Sequence, residues 1–160
     1  RNVFCAELSN LVDVNRICGN DSGDRVYKKL SEIMNDALSS AGSDNIVMRY
    51  RGSLLIGYIN GITALESVDI LFKILYLVKD YSADSGIDSL PELVFNAAVY
   101  PEKKGTNAGR NIEIARSIMF QGSDGKTGHV AFLKNPEQRI NEKDFDRRGG
   151  LNEGLISVIS

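Results

Sequence analysis

The sequence is poor in the residues that hold structural metals or covalent staples. Its 160 residues include two cysteines and one histidine, whereas a structural zinc site takes about four ligands of these types. We therefore expect no zinc site. Cys5 and Cys18 are expected to be buried, reduced thiols, as is usual in a cytosolic protein. For His129, a core or solvated position is a simpler interpretation than a catalytic base.

Long apolar runs and an excess of basic charge are also missing. No apolar segment approaches the roughly 20 residues that a membrane-spanning helix needs. The net charge is -2, so the chain offers no broad basic surface to nucleic acid or anionic lipid. We expect no nucleic-acid partner and no membrane contact by this domain. The start at Arg1, without a signal-like segment, predicts a cytoplasmic domain of a larger protein that can itself be membrane-anchored.

What remains is typical of a globular domain, with 42% hydrophobic and 25% charged residues. Apolar periodicity predicts the element order β-α-β-β-α-β-α-β. Helices that alternate with strands around one hairpin indicate an α/β (α+β) fold, in which a sheet carries packed helices. Residues 1–134 are predicted to form one domain. Residues 135–160 are predicted to be a charged linker and the start of a following segment, with a further strand after residue 151 as the alternative.

The predicted elements can be given in chain order. They are a strand over Val3–Leu8, a loop or short helix to Cys18, a helix capped by Asp21 or Ser22 and stopped by Gly42, a hairpin over 46–59, a helix over 64–81, a strand over 93–100, a helix over 108–121 and a strand over 130–133.

The hairpin carries the most informative motif of the chain. Its two strands meet at Arg51-Gly52, and Ser53, Leu54 and Leu55 follow. A hairpin tip projects backbone and polar side chains from a rigid base, which suits it to chemistry. This tip has no carboxylate that could hold a metal or accept a proton.

Together with the run from Gly19 to Asp24, the hairpin resembles the GGDEF family, the diguanylate cyclases. The Arg-Tyr pair before the family's signature turn is present as Arg49-Tyr50. The Gly-Gly-Asp/Glu-Glu-Phe signature itself is replaced by Arg51-Gly52-Ser53-Leu54-Leu55. The chain is identified as a degenerate member. This resemblance implies the nucleotide-cyclase type of fold, a central and mainly antiparallel sheet of about five strands flanked by helices.

Family members join two GTP molecules into cyclic di-GMP with two divalent metals, which neutralise triphosphate charge. By this resemblance the first metal acid falls on Glu7, while Ser53 and Leu54 replace the acids of the signature turn. Both phosphate-binding lysines are lost, and Lys126 is the remaining candidate for a phosphate contact. A lone carboxylate holds Mg²⁺ weakly. The resemblance therefore implies no catalytic residue, no cofactor and weak Mg²⁺ binding at best.

The two positions that read guanine in the family are kept here as Asn15 and Asp24. A carboxylate accepts hydrogen bonds from guanine N1–H and N2–H, so GTP is the ligand that the resemblance implies. The alternative is that Asp24 only stabilises the first turn of its helix through the helix dipole. Glu7 is alternatively an unpaired pocket acid, or a partner of Arg16 or Arg51.

The family's inhibitory Arg-x-x-Asp motif is missing from the window Gly42-Ser43-Asp44-Asn45. We expect no cyclic di-GMP site there.

The resemblance implies a catalytically inactive regulatory domain of a bacterial cyclic di-GMP signalling protein. Such a domain senses GTP or passes signals through homodimer contacts. It receives its input from an upstream sensor and controls an attached EAL-type phosphodiesterase. Two alternatives stay open. One is a divergent nucleotide-handling enzyme, a slow diguanylate cyclase or an NTPase, that uses Glu7 and Lys126. The other is a ligand-free protein-interaction module, which Leu54 and Leu55 favour because leucine suits a buried or docked surface.

Overall fold

The computed structural model describes residues 1–41 and 44–160. Within these residues the strands and helices follow the predicted order, with a sixth strand at the end. The strands are β1 (Asn2–Leu8), β2 (Asn45–Arg51), β3 (Leu54–Ile59), β4 (Phe95–Pro101), β5 (His129–Leu133) and β6 (Ile156–Ile159). The α-helices are α1 (Leu11–Cys18), α2 (Asn20–Ser40), α3 (Ala64–Asp84) and α4 (Ala108–Gly122).

The strands form one sheet in the order β2-β3-β1-β4-β5-β6. Every neighbouring pair is antiparallel except β4 and β5, which are parallel and joined by the crossover helix α4. The predicted mainly antiparallel α/β architecture is confirmed, with six strands where about five were expected. β1 lies inside the sheet and is buried along its length apart from the half-buried Glu7, since helices cover both faces.

The two faces of the sheet carry separate cores. Residues of α2 and α3 pack on one face, and residues of α4 pack on the other. Side chains alternate between faces along a strand, so neighbouring residues of the hairpin enter different cores. Leu55 joins the α2–α3 core and Leu54 joins the α4 core, at 4% and 5% exposure.

The helix ends differ from the predictions in detail. α2 begins at Asn20 after Gly19, which makes no side-chain cap, so neither predicted cap residue is used. The predicted stop at Gly42 lies outside the described residues. α3 begins with a capping box between Thr63 and Glu66. No helix in the described residues has both the length and the apolar character to cross a membrane.

The segment after β5 contains β6, which agrees with the alternative of a further strand after residue 151. Ile140 and Leu151 are buried in the α4 core, and β6 pairs with β5 at the edge of the same sheet. Between them, the Asp146 carboxylate accepts backbone hydrogen bonds from Arg148 and Gly150 and so closes a turn. A few apolar anchors and local turns order this segment without a helical stripe. The predicted boundary at residue 134 therefore does not mark an edge of the sheet.

Both cysteines are free, as predicted. Cys5 is fully buried in the α4 core, and burial raises the pKa of its thiol to about 12. Cys18 is only partly buried and ends α1, where a loop was one of the predicted structures.

Candidate functional site

The carboxyl end of β1 and the hairpin turn lie together at one edge of the sheet. They enclose a hollow of about 310 Å³, which we call the turn hollow. Its walls are Glu7, Leu8, Ser9, Leu11, Val12, Asn15, Arg49, Gly52 and Ser53. The structure thus brings the predicted first-strand acid together with the predicted signature turn.

In the turn, the side chains of Ser53 and Leu54 are engaged within the chain itself. The Ser53 hydroxyl donates a hydrogen bond of 2.8 Å to the Leu8 carbonyl oxygen at the end of β1. Leu54 is buried against α4. Neither position presents a free polar group to a ligand. The burial of Leu54 and Leu55 also removes the basis on which they favoured an interaction surface.

Glu7 is the carboxylate of the turn hollow. Burial raises its pKa above the usual range, and the positive charge of Arg116 on α4 partly opposes that shift. Among the described residues, Glu7 forms no ion pair with Arg16 or Arg51. Arg16 instead pairs with Asp13 at 3.3 Å, and the Arg51 guanidinium lies 5.7 Å from the centre of the Tyr50 ring.

A metal ion does not fit this arrangement. Across residues 1–41 and 44–160, no three His, Cys, Asp or Glu side chains converge as a metal site would require. Mg²⁺ keeps its waters unless several anionic oxygens converge, and Glu7 is a single acid facing a serine already bonded to backbone.

A second hollow, of about 290 Å³, opens between α1 and α2, and we call it the helix hollow. It is lined by Leu11, Asn15, Gly23, Asp24, Tyr27, Lys28 and Arg49. The two predicted guanine-reading residues therefore face one space. Asp24 is exposed and Asn15 is half-buried, so both side chains are accessible to a ligand.

Gly23 makes this arrangement of Asn15 possible. A Cβ atom at position 23 would collide with the Asn15 side-chain oxygen, which lies directly over the α2 backbone. Because the buried glycine has no side chain, the Asn15 amide fits between α1 and α2.

Arg49 forms a wall of both hollows. Its Nε donates a hydrogen bond of 2.8 Å to the Gly52 carbonyl oxygen, and its guanidinium stacks 4.4 Å from the centre of the Tyr27 ring. From the sequence, Arg49 is noted only as part of the Arg49-Tyr50 pair before the turn and is assigned no contact with a ligand. Arg49 thus places a positive charge at the boundary of the two hollows.

Tyr27 was also missed. It lines the helix hollow one turn after Asp24, a spacing that puts both residues on the same side of α2. Its hydroxyl is buried and has no hydrogen-bond partner among the described residues, and burial raises its pKa. An unpaired buried hydroxyl is costly to the folded state.

Lys126 and His129 lie apart from both hollows. Lys126 is in the exposed turn between α4 and β5, where its backbone N–H bonds to the Asp124 carboxylate. It lines neither hollow, and its phosphate contact stays a prediction. His129 is buried, with Nε2 3.0 Å from the Met119 carbonyl oxygen. It is thus a core histidine, one of the two expected placements.

Comparison with known proteins places the fold in a recognised class. No family model matches the sequence, and no curated protein matches it either. Among solved structures, the guanylyl cyclase Cya2 matches with a TM-score of 0.65 at 10% identity, over 88% of this chain and 79% of that one. The chain therefore has the fold of the nucleotide cyclases.

Within that class, the structural neighbours include GGDEF domains of diguanylate cyclases. The GGDEF domain of DgcB from Caulobacter crescentus, solved with cyclic di-GMP, matches with a TM-score of 0.67 at 15% identity, over 82% of this chain and 76% of that one. The diguanylate cyclase SiaD from Pseudomonas aeruginosa, solved with its activator SiaC, gives 0.65 at 16% identity, over 74% of this chain and 44% of that one. The expected fold is confirmed, and at these identities the likeness concerns the fold.

Proposed function

We propose that this chain is a GGDEF-like regulatory domain that binds a guanine nucleotide without converting it. The nucleotide is GTP, held by its base in the helix hollow. Binding of the nucleotide is signalled to the attached domains of a bacterial cyclic di-GMP signalling protein. It works without a resident metal ion.

One observation carries the proposal, the joint placement of Asn15 and Asp24. Both line the helix hollow, both are accessible, and Gly23 seats the Asn15 amide. An exposed carboxylate matches the N1–H and N2–H donors of guanine, and an amide can donate to O6 or accept from N2–H. Adenine lacks this pair of donors beside each other, so the hollow favours guanine.

The turn hollow supports the absence of catalysis. Joining two triphosphates needs charge neutralisation at the transferring phosphate, and losing such groups removes several kcal/mol of transition-state stabilisation, roughly 3 kcal/mol or more for each. Here Ser53 is bonded to Leu8, Leu54 is buried, and Glu7 has a raised pKa. Arg49 is the basic residue in the lining of the turn hollow, and a single lining cation suits binding better than phosphoryl transfer.

The regulatory role extends this account to neighbouring domains. SiaD, which shares the fold, was solved together with an activator protein, so this fold is compatible with control by protein contacts. We propose an upstream sensor and an EAL-type phosphodiesterase as the attached domains, with homodimer contacts as a second route for the signal.

The test is calorimetric titration of the chain with GTP, with ATP and cyclic di-GMP as comparison ligands. GTP is expected to bind saturably between micromolar and millimolar concentration and more tightly than either comparison ligand. Asp24→Ala is expected to weaken GTP binding about tenfold or more, since it removes charge-assisted hydrogen bonds. Asp21→Ala, an exposed acid of the same helix turn, is the matched control and should bind like the parent.

Three results would contradict the proposal. They are no saturable heat with millimolar GTP, equal binding of ATP, and equal losses in the Asp24 and Asp21 variants. Phosphate or cyclic di-GMP released from GTP, and lost in Glu7→Ala, would favour the alternative enzyme. Lys126 is not among the residues that line the turn hollow with Glu7, so the lining of that hollow gives the alternative no support.

A further inference from the structure

β2 is an edge strand of the sheet. It pairs with β3 on one side, and no other strand in residues 1–41 and 44–160 lies along its second side. The outer backbone groups of an edge strand are a template for a further strand from another chain. Because a β-bulge between Arg49 and Arg51 leaves Tyr50 out of the pairing with β3, Tyr50 projects beyond the regular ladder.

The outer half of the sheet on its α4 side carries an apolar strip. Ile46, Met48 and Tyr50 are 53%, 51% and 49% exposed, and we call them the β2 strip. Ile46 and Met48 lie opposite Tyr58 and Ile56 of β3, which belong to the α4 core, so the strip continues that core outward. α4 has its main contacts with β1, β4, β5 and β6, and the β2 side chains at the edge of this face stay about half exposed. Three neighbouring half-exposed apolar side chains on a strand edge are typical of an interaction surface.

Two guanidinium groups flank the end of the β2 strip. The Arg51 and Arg116 guanidinium carbons lie 5.7 and 5.6 Å from the centre of the Tyr50 ring. Within the described part of the chain neither arginine forms an ion pair, and the buried Nε of Arg116 has no hydrogen-bond partner. Burial raises the pKa of the half-buried Glu7, and the charge of Arg116 partly opposes that shift. An anionic group between these two cations would form ion pairs with both.

We propose that the β2 edge docks an extended, acidic segment of a partner protein by strand addition. Apolar side chains of the partner cover Ile46 and Met48, and a carboxylate of the partner lies between Arg51 and Arg116 beside Tyr50. Main-chain hydrogen bonds hold the segment, and the alternating apolar and acidic side chains select it. This inference is independent of the nucleotide at Asn15 and Asp24.

Charge decides between the possible occupants. β2 carries Arg49 and Arg51 and no acidic residue from 45 to 51, so a second β2 strand would bring two more arginines to the edge. The same cations that oppose a second copy attract an acidic strand, which gives specificity by repulsion as well as by attraction. We therefore commit to an acidic partner segment.

The experiment mixes the full chain with a short synthetic peptide in which valine alternates with glutamate. Fluorescence anisotropy measures binding of the peptide, and amide chemical shifts of the chain locate the binding site. The glutamate peptide is expected to bind and to shift β2 amides. The counterpart with lysine in place of glutamate should not bind. Arg51→Ser and Met48→Thr should each weaken binding several-fold, and their combination about tenfold or more. Arg148→Ser, an exposed arginine of the C-terminal segment, is the matched control.

Thermal unfolding of each variant verifies that these exposed substitutions leave the fold intact. Equal binding of the two peptides, shifts confined to residues outside β2, or no loss in the Arg51 and Met48 variants would overturn the proposal. So would a dimer in sedimentation that Met48→Thr abolishes, because the occupant would then be a second copy.

Discussion

The two hollows share Leu11, Asn15 and Arg49 as walls, yet they differ in the contacts that their other side chains make. In the helix hollow, Asp24 is exposed and the Tyr27 hydroxyl lacks a partner within the described residues. In the turn hollow, Ser53 is bonded to the backbone of β1, and the next residue of the hairpin is part of the core. The helix hollow thus presents an exposed carboxylate to a ligand, whereas the hydroxyl of the turn hollow is paired within the chain. The comparison predicts binding without catalysis, and each prediction below tests one side of it.

The largest effect is expected from an acid placed at the buried signature position. Leu54→Asp puts a carboxylate into the α4 core, where Leu54 is 5% exposed. We expect a loss of about 4 kcal/mol or more in the free energy of unfolding, from the lost apolar burial and the buried charge. Urea unfolding measures it, with Leu54→Met as the control at under about 1.5 kcal/mol. A stable Leu54→Asp protein that binds Mg²⁺ would show that the turn hollow is still a metal site.

A smaller effect is expected at Gly23, on the other side of the comparison. The Cβ of Gly23→Ala would displace the Asn15 amide. We expect a loss of about 1–3 kcal/mol in stability from overpacking, together with GTP binding weakened about tenfold. Gly109→Ala in α4 is the control, because its Cβ meets an atom at an ordinary 3.5 Å. Unchanged GTP binding in Gly23→Ala would mean that the seated amide does not touch the base.

The Ser53 hydrogen bond should contribute to stability and not to binding. Ser53→Ala removes the donor to the Leu8 carbonyl oxygen and is expected to cost about 1 kcal/mol of unfolding free energy. GTP affinity should stay within about twofold of the parent, since this hydroxyl is already occupied. Denaturant unfolding and titration of the same sample measure both quantities. A stable variant with lost GTP affinity would reverse the assignment.

The smallest effect is expected at Glu7 and depends on pH. Its pKa is raised by burial, so folding favours the protonated form. The contribution of Glu7 to stability is therefore present at pH values below the unfolded-state pKa and is lost as pH rises through the folded-state pKa. Glu7→Gln should exceed the parent in stability at neutral pH, by no more than about 0.5 kcal/mol because solvent screens the half-exposed acid. The difference should vanish in acid, and a destabilised Glu7→Gln at neutral pH would point to a favourable ionised contact.

Much of the fold could be predicted because its signals are local. The buried run of β1 and the turn at Arg51-Gly52 stand out in the sequence. The position of β6 in this sheet could not be predicted. The strand has only four residues and no periodic segment precedes it, and its place depends on pairing with β5, which is distant in sequence. Strand formation of that kind depends on tertiary context more than on propensity.

Site residues that belong to a sequence motif could be predicted. Site residues that are brought together only by tertiary packing could not. Asn15 and Asp24 lie at fixed offsets from Gly19, and the structure places both in one hollow. Arg49 and Tyr27 come together only when the hairpin packs beside α2. Arg116 reaches the neighbourhood of Glu7 from the crossover helix, more than a hundred residues along the chain, which no local pattern reveals.

The most direct test of the central claim is titration of GTP with Mg²⁺ and again with a chelator in its place, with the products then analysed. Binding through Asn15 and Asp24 without a metal site predicts equal affinity within about twofold in the two conditions, and intact GTP at the end. Affinity that depends on Mg²⁺, or cyclic di-GMP among the products, would show that the turn hollow still holds a metal and would contradict the account.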